Sequence, residues 1–359
     1  IGIGGHVFEA LTSGDQNVAM GDDAMGAITT GSRNVAIGDG AMADMTTEWG
    51  NIAIGYSAMY SYGAGTGGEY NVAVGYQSLG QGDFTGDYNV AVGTQTGWSM
   101  SSGASNSLFG NEAGKKITTG NRNISIGGYA YDNADTESDN LAIGYDALGG
   151  AVAGAEKTIA IGNYTLDALT SGDNNVAIGY SAGSALTTQA SNTMVGFEAG
   201  KSATSAESTY IGYYAGRNNL SNYNVAIGAE AMITYGDKTA ERNTAIGNAA
   251  LKVIETGDKN TSVGGYSGIA VTTGSDNIFL GYSAGDNITT GDNNVVIGAA
   301  DVSSATGDDQ LSISSGDGGV TWITGNSSGG INSKAEVVAV SGNTTLTLAQ
   351  TGAYIYWTA

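Results

Sequence analysis

The sequence predicts an all-β chain, a parallel β-solenoid (β-roll) wound from coils of about 17 residues. Three observations lead there: a phrase of the type NVAIG that returns at fixed spacing, a large glycine excess without proline, and apolar alternation inside each phrase. Sixty of the 359 residues are glycine, and proline and cysteine are both absent. Collagen needs a three-residue glycine period and abundant proline, so it is excluded. Disulfide frameworks and thiolate metal sites need cysteine. With 41% hydrophobic and 13% charged residues, the chain also lacks the composition of a disordered one.

The last glycine of each phrase serves as a marker. Eighteen markers run from Gly4 to Gly298, among them Gly21, Gly38, Gly55 and Gly179, and span 294 residues in 17 intervals. Intervals of 16 to 20 residues fit a solenoid whose loops vary at one corner. Four residues before the marker stands asparagine in 15 of 17 complete repeats, for example Asn17, Asn34, Asn51 and Asn175; Thr158 and Ser208 replace it elsewhere. Asparagine tolerates turn conformations and bonds to nearby backbone, so this column predicts a stacked coil corner. The Thr-Thr-Gly segment upstream, as at Thr29–Gly31, reads as a turn.

Between asparagine and marker lies a short strand such as Val35-Ala36-Ile37, with the branched residues on one face and alanine on the other. The branched face is expected to fill the interior, alongside a second short strand per coil. The alanine column (Ala19, Ala53, Ala177) and another three residues past the marker (Ala41, Ala58, Ala182) are expected outside. Small residues there either follow tight curvature or pack against sister chains around a common axis, and the second reading gives a homotrimeric fibre. At about 4.8 Å per coil, seventeen intervals make a rod about 80 Å long.

The N-V-A-I-G-x-x-A phrase resembles the head repeat of trimeric autotransporter adhesins of the YadA type. The longer form from Thr170 to Gly183 is similar to repeats of predicted bacteriophage tail-fibre proteins. The resemblance covers about residues 1–301 and implies a left-handed, trimeric parallel β-roll in a virion tail fibre. Its implied partners are sister chains, other virion tail proteins and a host surface glycan or protein receptor. The 17-residue coil exceeds the shorter autotransporter repeat. No autotransporter neck or coiled-coil stalk follows, which favours the phage reading over a bacterial cell-surface adhesin or extracellular filament.

Residues 302–359 break the rhythm and are expected to form a β-rich cap, tip or connector, with a strand at Val337–Val340. Asn343–Ala359 resembles a stretch of phage appendage proteins in which more β-structure follows, so a longer parent chain is expected. Trp322, Tyr354, Tyr356 and Trp357 lie here and are candidate receptor contacts, although aromatics also plug solenoid ends.

A net charge of −22, with no basic cluster, argues against nucleic-acid binding. No apolar run reaches the length of a spanning helix, so membrane insertion is not expected. The segment Gly196–Ser202 resembles a phosphate loop with one residue too few and falls on the repeat. His6 has no nucleophile partner, so no catalytic triad is expected. Acidic turns at Asp15, Asp173, Asp292, Asp308 and Asp309 offer oxygen ligands suited to calcium, without the nonapeptide pattern of calcium rolls. Carboxylates confined to repeated turns do not make the unique pocket a glycosidase needs, so no enzyme is expected. No cofactor is expected either. A threonine column (Thr12, Thr29, Thr118, Thr170) has the ladder form of ice-binding solenoids but lies in a turn.

Overall fold

The computed structural model describes residues 1–60, 67–80, 83–233 and 239–333. Among them there is no helix. Eighteen short strands, β1 (Gly2–Ile3) to β18 (Val295–Ile297), stack in sequence order into one parallel ladder, each aligned residue for residue with the next. Ala36, for instance, lies between Ala19 and Ala53. The amide of Val35 donates to the Asn51 carbonyl at 2.9 Å, and that of Gly38 to the Met20 carbonyl at 2.8 Å. Each coil thus bonds its backbone to the coils above and below, which no proline could do.

Each coil contains one short strand, of two residues in β1 and three in β2 to β18, where two strands were expected. Turn backbone forms the opposite wall, and it also bonds from coil to coil: Met25 N to Ala41 O and Met42 N to Ala58 O, both at 3.0 Å. This wall holds residues in the left-handed region, such as Met25 (φ 52°) and Met42 (φ 53°), because intercoil bonds and packing over-determine it.

The strand faces are the reverse of the sequence expectation. The central alanines Ala19, Ala36, Ala53 and Ala73 are fully buried, as are Ala41, Ala58, Ala113 and Ala182 three residues past the marker. The branched residues point outward; Ile37, Ile54 and Ile126 keep 36–40% of their surface exposed. The lumen is narrow, and Met25, Met42, Met59, Leu148 and Leu166 reach into it from the turn wall. Only a small side chain fits on the strand opposite them.

Where the strand centre is large, the turn wall gives way. Leu108 sits between Gly97 and Gly114, and Met194 between Gly183 and Gly200. Tyr210 lies between Gly200 and Gly216, and Phe279 between Gly268 and Gly285. A Cβ at Gly216 would collide with the Tyr210 ring, and one at Gly285 with the Phe279 ring. The core therefore keeps its volume by trading sides.

Parallel stacking continues past residue 301, where the sequence placed the boundary. Strand β19 (Leu311–Ser314) pairs parallel with β18, and Gln310 takes the asparagine position. The ladder then turns antiparallel through β20 (Thr321–Gly325) to β21 (Ile331–Ser333). The strand expected at Val337–Val340 lies outside the described residues.

Candidate interaction surface

The asparagine column is buried and works as a ladder. The Asn17 Oδ1 accepts the Asn34 amide at 2.9 Å, and Asn34 does the same for Asn51. Each Nδ2 caps a turn carbonyl: Asn17 that of Gly31 (2.8 Å), Asn51 that of Gly68 (2.8 Å) and Asn175 those of Gly172 and Gln189 (both 2.9 Å). Ser208 keeps the pattern, its Oγ accepting the Asn224 amide at 3.2 Å. These side chains hold the corner and offer nothing to a ligand.

Markers Gly21, Gly38, Gly55 and Gly179 have φ of 136–141°. A Cβ at any of them would run into the carbonyl of the next marker, so conformation and proximity both require glycine.

The acidic turns proved to be a second ladder that sequence reasoning missed. Two residues before the asparagine, a side-chain oxygen accepts the amide at the same position of the preceding coil. Asp173 serves Glu156 (2.9 Å), Asp292 serves Ser275 (2.7 Å) and Asp308 serves Asp292 (2.8 Å); Ser32 serves Asp15 (3.0 Å). Asp, Asn or Ser fills eleven of the eighteen positions of this column from Asp15 to Asp308, and that shared acceptor chemistry was the available signal. In the threonine column Thr12, Thr29 and Thr170 donate to carbonyls one coil on, at 2.8–3.0 Å.

In the phosphate-loop look-alike, Lys201 Nζ meets Glu198 Oε1 at 2.9 Å and Arg217 meets Oε2 at 2.8 Å, so its lysine is engaged by a carboxylate. His6 Nδ1 lies 2.6 Å from Glu9 on the surface, and that hydrogen bond raises the imidazole pKa. Among the described residues, no group of three or more His, Cys, Asp or Glu side chains is placed to hold a metal, and no helix is long and apolar enough to cross a membrane.

What remains is the outward face of the strands. The position just before the marker is apolar in every coil, from Ile3 and Met20 through Phe109 and Leu280 to Ile297. Together with the position two residues earlier, which is branched and apolar in most coils but Ser107, Thr193, Thr209, Thr244 and Thr261 in five, it forms a strip about 80 Å long and roughly 10 Å wide. About 800 Å² matches one side of a standard protein interface and exceeds the patch a monomer usually leaves in water. Stacked aromatics border it, including Tyr56–Tyr76 at 5.5 Å and Tyr180–Phe197 at 5.5 Å between ring centroids.

Of the expected receptor contacts, Trp322 lies on β20, 52% exposed, beside the exposed Val320 on the C-terminal hairpin. Tyr354, Tyr356 and Trp357 lie outside the described residues. No protein-family model, curated protein or solved structure matches the chain.

Proposed function

We propose that the chain is the shaft of a bacteriophage tail fibre, a homotrimer of parallel rods that reaches a host cell surface and presents receptor-binding elements there. One observation carries this reading: the unbroken apolar strip outside an otherwise satisfied solenoid. A rod of stacked coils needs no second chain to close its lumen, because the alanines and turn-wall residues already fill it. The outer strip is therefore surplus to folding a single copy, and copies packed on a shared axis would bury it along the whole length. Multivalent presentation then turns weak single contacts into firm attachment. The repeat resemblance supports the phage setting, and Trp322 on the exposed hairpin supplies one aromatic platform for a glycan. A bacterial cell-surface adhesin or filament is the second reading, favoured by the same repeat.

Immunogold labelling with an antibody to this chain tests the setting. Label on virion tails is expected. Label confined to cell envelopes favours the adhesin, and purified chain that binds no bacterial surface contradicts both.

A further inference from the structure

The two edges of the apolar strip carry different chemistry. On one edge, the exposed residue before the asparagine position holds five of the chain's twelve lysines and arginines, Arg33, Arg122, Lys157, Arg242 and Lys259, alongside Asp139, Glu207 and Asp276 and the tyrosines Tyr70, Tyr88 and Tyr223 in other coils. On the other edge, the two positions after the marker glycine hold no lysine or arginine in any of the eighteen coils. They hold eleven aromatic and seven acidic residues.

The edges are also matched within a coil. The second position after the marker is tyrosine in four coils, and three of these are coils with a cation on the opposite edge: Arg122 with Tyr129, Lys157 with Tyr164, Lys259 with Tyr266. In those same coils the first position is small, Gly128, Asn163 or Gly265, and each tyrosine ring meets a ring of a neighbouring coil edge-on, as in Tyr129–Tyr145 and Tyr266–Tyr282, both at 5.7 Å between centroids. The fourth, Tyr214, already takes a guanidinium from its own chain, Arg217 at 4.4 Å from the ring centroid.

Within the chain, the cations' contacts run along their own edge and not across the strand. Arg122 Nε bonds Asp139 at 2.6 Å, Lys259 lies 4.0 Å from Asp276, and Arg242 lies 5.1 Å from the Tyr223 ring. The strand separates the paired positions, so the chain itself does not account for the match.

We propose that a second copy does: Arg33, Arg122, Lys157 and Lys259 dock on the acidic or aromatic edge of the same coil in the neighbouring copy, as cation–π and ion pairs, while the Arg242 coil, with Asn248 and Ala249 on its other edge, has no such partner. This rests on the parallel self-assembly proposed above and adds its register and the residue pairs that set it. Rotation about an axis along the rod preserves coil height and brings unlike edges together. A two-fold axis across the rod inverts the heights and sets each edge against its own kind. Only parallel, coil-in-register packing brings Arg122 to Tyr129, Lys157 to Tyr164, and Arg33 to Asp39 together.

The absence of cysteine makes this directly testable. The single variants Arg122→Cys and Tyr129→Cys, co-expressed and treated with a short bis-maleimide, can join only between chains. Both sites are exposed and have φ near 57°, so the substitution preserves the backbone class, and circular dichroism checks folding. A covalent R122C–Y129C product is expected, with none from R122C co-expressed with Y266C, eight coils or about 38 Å away along the rod. Native mass is taken on the same samples. An oligomer that fails to link the matched pair, or links the mismatched one, overturns the register while leaving self-assembly intact. A monomer overturns both.

Discussion

At the residue scale, three columns specify the coil by different means. The marker glycine was legible in the sequence because nothing else supplies its φ against the next carbonyl. The asparagine was legible because its amide serves a donor and an acceptor at a fixed corner. Replacing Asn51 by Ala leaves the Asn71 amide and the Gly68 carbonyl unpaired in a buried corner. We expect a loss of about 1–3 kcal/mol, read from the urea midpoint.

Asp132 behaves differently, since burial, with Asp146 nearby, pushes its carboxyl up to about 6. Its folded-state value lies above the unfolded one, so its favourable contribution is present in acid and lost as pH rises through 6. Asp132→Asn is therefore expected to raise the melting temperature at pH 7 and leave it unchanged at pH 4. An equal shift at both values would assign the effect to packing.

At the scale of the coil, the alternation of Val-Ala-Ile was readable but its facing was not. Periodicity of two says that alanine and valine point oppositely, and hydrophobicity then assigns the larger residue to the core. Here the rule inverts because the lumen is already filled by Met25, Met42 and Leu148 from the turn wall. That wall is built of turns with positive φ, and no strand pattern marks it in the sequence. Its volume exchange with the strand was nonetheless present, since the large centres Leu108, Tyr210 and Phe279 each pair with two glycines. Tyr210→Ala should cost about 3–5 kcal/mol through the cavity it leaves. Gly216→Met should also destabilise alone, by overpacking, yet recover part of the loss when combined with Tyr210→Ala. A double-mutant cycle on denaturation midpoints measures that coupling.

At the scale of the whole molecule, the period fixed the architecture, and the count of coils fixed its length. The candidate surface was half legible: the need for an apolar outer column was inferred, but it was assigned to alanine. The exposed branched column is larger and more apolar than the one expected, and its beta-branched residues also pack well along a ladder of identical rungs. Introducing a carboxylate there, as in Ile54→Asp with Ile126→Asp, places unpaired charge on the strip without touching the lumen. The coils should keep their circular dichroism spectrum while any assembly dissociates.

The most direct measurement is the native mass of the chain across a dilution series. A mass of three chains, maintained on dilution and reduced to one chain by the Ile54→Asp and Ile126→Asp pair, is the expected result. A stable, soluble single chain of 35.9 kDa with the outer strip in water would contradict it.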